Sequence, residues 1–235
     1  MAAIAFMLTV SFSAQAQLGG LINRTRKTTQ SSSGKAAKEA QQVQKSAALT
    51  TDDKVYPTNT DAGVLINGVK WATRNVAQPG AFTTNPSQAG MFYQWNRNLA
   101  YNVTDIDIRK GWDSSLPTGD TWEKSNDPCP AGWRLPTYEE IQTLLDYTKV
   151  NHEWTTLNGV LGRRFTDKVT GASMFMPVAG ERNKAGTLLD ERQGHYWSST
   201  KWNDLVAYYL SVHGGTAEWS TNTRTCALSI RAVAE

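Results

Sequence analysis

Ala207-Tyr208-Tyr209-Leu210-Ser211-Val212-His213-Gly214-Gly215-Thr216-Ala217-Glu218-Trp219 is the stretch on which the fold turns. Residues two apart in an extended strand share a face. Tyr208, Leu210 and Val212 therefore fall on one face, with Ala207, Tyr209, Ser211 and His213 on the other. Gly214-Gly215 supplies a turn. Beyond it Ala217 and Trp219 share a face, with Glu218 and Ser220 opposite. The alternation predicts Tyr208, Leu210, Val212 and Trp219 as core. Leu228, Ile230 and Ala232 then form the apolar face of a last strand. The C-terminal third thus reads as a strand meander.

Working outward from it, one helix is well marked. Pro136-Thr137-Tyr138-Glu139-Glu140 opens Ile141-Gln142-Thr143-Leu144-Leu145. Thr137 is placed to cap, and Glu140 three residues on completes a capping box. Ile141, Leu144 and Leu145 share one face, as a helix lying on a core requires. Glu139 and Glu140 resemble a catalytic carboxylate pair only in spacing, since one is needed for the cap and the other faces solvent. Upstream, Val64-Leu65-Ile66 and Val69-Lys70-Trp71 flank Asn67-Gly68, a strong hairpin signal. Met91-Phe92-Tyr93-Gln94-Trp95 reads as another strand. Few helices, many short strands and long loops between Gly, Pro, Asn and Asp clusters predict an α+β domain.

The first third differs in texture. Residues 2–12 form an uncharged apolar run followed by Ala14-Gln15-Ala16, the small-x-small pattern of a signal-peptidase site. The run is too short to span a bilayer. Residues 17–54 hold no aromatic side chain and are dominated by Ser, Thr, Gln, Lys and Ala, too little apolar surface to offset the entropy of ordering. The expected organisation is a signal peptide over 1–16, a low-complexity tether over 17–54 and a folded domain over 55–235. The net charge of +3 arises in the leader. Residues 1–54 carry seven basic and three acidic side chains, whereas the remainder carries 17 and 18. The folded part therefore lacks the basic surface that nucleic-acid binding needs. No later segment is long and apolar enough to be a transmembrane helix.

Five blocks in order carry a family resemblance: Gly68-Val69-Lys70-Trp71-Ala72-Thr73-Arg74-Asn75-Val76; Gly90-Met91-Phe92-Tyr93-Gln94-Trp95-Asn96; Asp127-Pro128-Cys129-Pro130-Ala131-Gly132-Trp133-Arg134-Leu135-Pro136-Thr137; Gly194-His195-Tyr196-Trp197-Ser198-Ser199-Thr200; and Leu228-Ser229-Ile230-Arg231-Ala232-Val233. Together they resemble the Fibrobacter succinogenes major paralogous domain, common in exported Bacteroidetes proteins, over roughly residues 60–235. The resemblance implies a C-type-lectin-like fold with short irregular antiparallel strands, related to that of formylglycine-generating enzymes. Many members of the family carry a Cys where this chain has Ala232; here a Cys stands six residues earlier, at Cys226. Cys129 and Cys226 are the two cysteines. A disulfide between them and two separate buried thiols both fit the sequence.

From Tyr196 onward the chain also resembles the variable region of retroelement-diversified proteins, which display altered side chains on a lectin-like scaffold. Alternation leaves Trp202, Asn203, Asp204, Tyr209, Ser211, His213, Glu218, Ser220 and Asn222 for an exposed face. Aromatics mixed with small polar groups suit a binding surface. The ligand is expected to be a protein or a glycan.

Other chemistry finds little support. Trp202-Asn203-Asp204 matches the Trp-Asn-Asp of calcium-dependent lectins, but the partner Glu-Pro-Asn or Gln-Pro-Asp loop does not occur. Formylglycine-generating enzymes use paired C-terminal cysteines, and this chain has one in that region. His152, His195 and His213 lie far apart in sequence, with no ligand spacing. No Gly-x-Ser-x-Gly elbow or phosphate-binding loop is present. No cofactor and no metal site is expected. Arg134 and Arg231 are read as loop anchors rather than ligand contacts. The leading expectation is an exported, non-catalytic binding module. A structural component of a surface assembly is the alternative, and a metalloenzyme of the formylglycine-generating type a third.

Overall fold

A computed structural model describes residues 59–105, 108, 111–189 and 192–235. The chain divides into two units, Met1–Lys54 and Val55–Glu235, and every described residue belongs to the second. The expected signal peptide and tether lie outside the described residues.

The described chain is mostly antiparallel β-sheet with one short helix. In chain order the strands are β1 (Val64–Ile66), β2 (Val69–Trp71), β3 (Met91–Gln94), β4 (Ala100–Asn102), β5 (Trp133–Arg134), β6 (Val150–Leu157), β7 (Val160–Asp167) and β8 (Ser173–Pro177). They continue as β9 (Glu181–Arg182), β10 (Leu188–Leu189), β11 (Gly194–Lys201), β12 (Val206–Val212), β13 (Ala217–Thr223), β14 (Ala227–Leu228) and β15 (Val233–Ala234). The helix α1, Tyr138–Leu145, falls between β5 and β6. Four sheets result, with orders β1-β2-β15-β5, β10-β9-β14-β3-β4, β6-β7-β8 and β11-β12-β13. Every strand pairing within them is antiparallel.

The local signals act as their chemistry requires. Asn67 and Gly68 adopt φ of 43° and 84°, the double positive φ of a type I′ turn, and join β1 to β2. Asn158-Gly159, at 52° and 78°, does the same between β6 and β7. Thr137 Oγ1 accepts from the Glu140 amide at 3.2 Å, and Glu140 Oε2 accepts from the Thr137 amide at 2.8 Å. That is the full capping box. Glu140 also takes both guanidinium nitrogens of Arg134 (2.8 and 2.7 Å), which fastens the helix start to β5. Ile141 and Leu144 are buried and Glu139 faces solvent.

The sheet β11-β12-β13 has apolar material on both sides. Tyr196, Leu210, Val212 and Ala217 join Ile141 and Leu144 of α1, Phe165 of β7 and Met174 and Met176 of β8 in one core. Trp197 and Ala207, pointing the other way, enter a second core with Phe82, Tyr93, Trp95, Trp133 and Leu228. The last strand of the expectation is instead two short pieces, β14 and β15, separated by a bonded loop. Leu228, Ile230 and Ala232 are fully buried as predicted, but Ser229 and Arg231 between them are equally buried. The loop's carbonyls are taken up by distant segments: Ala72 N donates to Ala232 O and Val76 N to Ile230 O, while Ser229 forms a single parallel bridge to β11, where Trp197 N donates to Ser229 O.

Cys129 and Cys226 are both free thiols, so the disulfide weighed from the sequence is not formed. Their surroundings differ. Cys129 follows the Asp127 turn, its amide donating to Asp127 Oδ1 at 2.8 Å. Burial, reinforced by Asp127, raises that thiol well above the usual range. Cys226 lies toward Lys184 and Glu181, and burial pushes its thiol up to about 12.

Candidate functional site

The register of β11-β12-β13 decides which of the predicted side chains share a surface. Trp197 pairs with Tyr209 and Tyr209 with Ser220; His195 pairs with Ser211 and Ser211 with Glu218; Ala207 pairs with Asn222. Directly paired residues of antiparallel strands project to the same face. Tyr209, Ser211, Glu218, Ser220 and Asn222 therefore stand on one face, and His213 continues it past the end of β12. Six of the nine predicted residues are brought together.

Their depths differ. Ser211 is buried, which corrects its expected exposure: it sits in the central strand, in a row between His195 and Glu218. Tyr209 is half-buried, its ring edge-on to His195 (4.9 Å) and to Trp197 (6.3 Å). Glu218 is exposed, and His213, Ser220 and Asn222 are half-exposed along the rim formed by β13 and the turn before it. His213 Nε2 lies 3.5 Å from Glu218 Oε1, and the His213 carbonyl accepts from Arg163 at 2.5 Å.

A residue from outside the predicted set organises the inner end of this face. Glu181 of β9 accepts from Asn222 Nδ2 at 2.6 Å through Oε2. The same oxygen lies 2.8 Å from His195 Nδ1. Gln193 Oε1 approaches the other ring nitrogen of His195 at 3.3 Å. The buried polar group is thus a connected network rather than a set of orphans, as burial demands. His195 is fixed by Glu181 and Tyr209, and no cluster of three or more His, Cys, Asp or Glu side chains is placed to hold a metal among the described residues.

Trp202, Asn203 and Asp204 lie elsewhere, in the tight turn between β11 and β12. Asn203 Oδ1 accepts from the Leu205 and Val206 amides at 2.9 and 3.0 Å. Asp204 Oδ1 pairs with Lys201 at 2.8 Å, and Lys201 also pairs with Asp120. The oxygens that would bind calcium in the lectin motif are committed to the turn. Arg224 locks the turn from below, donating to the Asp204 carbonyl at 3.0 Å with its guanidinium 4.1 Å above the Trp95 ring.

The two aromatic residues expected in the core are not in it. Tyr208 is half-buried and Trp219 is 46% exposed, whereas Leu210 and Val212 on the same face are buried. Alternation assigned the face correctly. Leu210 and Val212, on the central strand, lie under α1 and the β6-β7-β8 sheet, whereas Trp219 stands on the edge strand β13 and Tyr208 one step nearer the β11-β12 turn, where their rings gather with Tyr138 at the start of α1 and with Trp202. Tyr138, the first residue of α1, was not singled out from the sequence, because a Tyr just after an N-cap carries no positional signal of its own.

Arg134 and Arg231 act as anchors. Arg231 is fully buried and donates to Asn75 Oδ1 and to the Ala72 and Phe175 carbonyls.

No family model matches the chain, and no curated protein or solved structure is significantly similar to it.

Proposed function

We propose that residues 55–235 form a C-type-lectin-like domain of the Fibrobacter succinogenes major paralogous type, acting as an exported, non-catalytic binding module. Its contact surface is the polar face of the β11-β12-β13 sheet, and its ligand a protein or a glycan. The observation that carries this reading is the strand register, which sets Tyr209, Ser211, His213, Glu218, Ser220 and Asn222 on one face. The side chains of the rim protrude while those behind them are pinned by two cores. A rigid sheet presenting small polar groups beside a half-exposed aromatic ring is the composition of a binding surface. The same arrangement suits side-chain diversification at Glu218 and Ser220, which protrude, more than at Asn222, which is bonded to Glu181.

The test is a binding screen of the full chain against arrays of glycans and bacterial surface proteins. A parallel variant carries His213→Ala, Glu218→Ala and Ser220→Ala, and leaves Asn222, which holds Glu181, in place. A ligand captured by the wild type and lost by the variant, with the melting temperature preserved, is the expected result. Capture that survives in the variant removes the site from this face, and a screen with no capture at all removes the binding function.

A further inference from the structure

We infer that the aromatic cluster at the outer end of the opposite sheet face is a second binding site, taking a neutral glycan through a pyranose ring. It stands on observations independent of the polar face. Tyr138 stacks on Tyr208 at 4.1 Å and 29°, and Trp202 lies nearly parallel to Tyr208 at 6.2 Å and 27°. Trp219 meets Tyr138 and Tyr208 edge-on, at 5.5 and 5.6 Å. Trp202 is 60% exposed and Trp219 46%. Single exposed aromatics are ordinary, but four contiguous rings contributed by a helix, a turn and two strands form a patch that calls for a partner.

The rings are also held in advance. The Trp202 and Asn203 amides both donate to the Val206 carbonyl, at 3.0 and 3.1 Å. The Tyr138 amide donates to Thr200 Oγ1 at 3.0 Å, tying the helix start to β11. A ligand therefore meets flat apolar surface whose ordering cost has already been met in folding.

Hydrogen-bond accounting selects the occupant. The hydroxyls of Tyr138 and Tyr208 and the indole N–H groups of Trp202 and Trp219 have no partner within the described protein. Asn203 spends its Oδ1 on the turn and leaves its NH₂ free. An apolar peptide laid across the patch would bury those donors unpaired, at a cost for each. A pyranose offers an apolar C–H face to the rings and hydroxyls at its edge to the donors. Charge narrows the class further. The polar groups that the patch itself offers are uncharged hydroxyl, indole and amide groups, and the nearby ammonium of Lys201, which pairs with Ala207 on the opposite face of the sheet, is held by Asp120 and Asp204. Uncharged donors suit a neutral sugar rather than a uronic or sialic acid.

The experiment titrates the full chain with neutral hexasaccharides (cellohexaose, maltohexaose, xylohexaose and mannohexaose), reading intrinsic tryptophan fluorescence and saturation-transfer NMR. At least one should give a saturable response that is unchanged by EDTA. Trp202→Ala and Trp219→Ala should each weaken it by about tenfold, as expected for the loss of one stacking ring. Trp202→Phe should stay within about threefold of the wild type. Both tryptophans are at the surface, and circular dichroism establishes that the variants fold. The rim variant of the polar face should bind the sugar normally, so failure here and failure of the polar face are told apart. Absence of a saturable response to all four sugars, wild-type affinity in Trp202→Ala, tighter binding of oligogalacturonate, or loss of binding in EDTA would each overturn the proposal.

Discussion

Replacing Arg231 by Met tests whether the hydrogen bonds of a buried cation outweigh its desolvation. The guanidinium donates four hydrogen bonds to three acceptors. Nε and Nη2 reach Asn75 Oδ1 at 2.9 and 2.7 Å, Nη1 reaches the Ala72 carbonyl at 3.1 Å, and Nη2 reaches the Phe175 carbonyl at 3.0 Å. These acceptors lie just after β2 and in β8, so one side chain joins the β1-β2-β15-β5 sheet to the β6-β7-β8 sheet. Met occupies much of the same volume and donates nothing. Three buried acceptors left unpaired cost about 1–3 kcal/mol each, or about 3–9 kcal/mol together. Burial of the charge acts in the opposite direction. It lowers the Arg231 pKa from its ordinary value to about 10, and that shift corresponds to roughly 3 kcal/mol of penalty that Met does not incur. The net loss is about 0–6 kcal/mol, centred near 3 kcal/mol. At about 2–4 °C per kcal/mol for a domain of this size, the melting temperature should fall by about 6–12 °C. Arg231→Lys should fare no better than Met, because it keeps the buried charge on a head that cannot span acceptors from separate segments. Calorimetry and urea unfolding measure both variants. An unchanged melting temperature and urea midpoint in Arg231→Met would refute the claim that the network exceeds the desolvation cost.

Gly162→Ala should destabilise by several kcal/mol, because a Cβ at that position of β7 would overlap the Met176 carbonyl and the Phe175 ring of β8; urea unfolding within 1 kcal/mol of the wild type would be inconsistent with the register of that sheet. Denaturing mass spectrometry without reductant should find both Cys129 and Cys226 alkylatable, while alkylation of the native protein at pH 8 should be slow, because burial raises both thiols; a mass deficit of two hydrogens with neither thiol blocked would mean a bridge. The amides of Asn67, Thr170 and Val169 hold the Asp167 carboxylate down to about 2. A depressed carboxyl contributes stability that is present above about pH 4 and lost as pH falls toward 2, so the stability difference between wild type and Asp167→Asn should shrink over that window, and a constant difference from pH 6 to pH 2 would argue against the cap.

What was legible in the sequence was periodicity, and what was not was depth. Alternation placed Tyr209, Ser211 and His213 on one strand face and Tyr208, Leu210 and Val212 on the other, as the register has them. It did not say which strand lies in the middle of the sheet and which at its edge. Ser211, on the central strand β12, is buried while its partner Glu218 is exposed, and Trp219, on the edge strand β13, is exposed while its partner Leu210 is buried. The capping box at Thr137 and Glu140 was readable because its chemistry is local. The Asn158-Gly159 turn carried the same signal as Asn67-Gly68 and would have located the long β6-β7 hairpin, had Leu157 and Val160 been read as its flanks. Glu181 had no signal at all. It becomes part of the site only because the two-residue strand β9 lies where its carboxylate meets His195 and Asn222, 14 and 41 residues away.

The two-sided burial of β11-β12-β13 bears on why binding should concentrate at its margins. A sheet with one wet face has a broad surface to offer, whereas this one commits Trp197 and Ala207 to one core and Tyr196, Leu210 and Val212 to another. The strands can shift on neither side without opening a packed interior, so their outer ends are held as rigidly as their centres. Side chains at those margins protrude at least in part from a backbone that is fixed in position. On one face they are the polar rim of Glu218, Ser220 and Asn222; on the other, the rings of Tyr208 and Trp219. Of these side chains Glu218 and Ser220 on one face and Trp219 on the other project farthest from the cores, and because the two sets lie on opposite faces of a rigid sheet their substitutions should act independently.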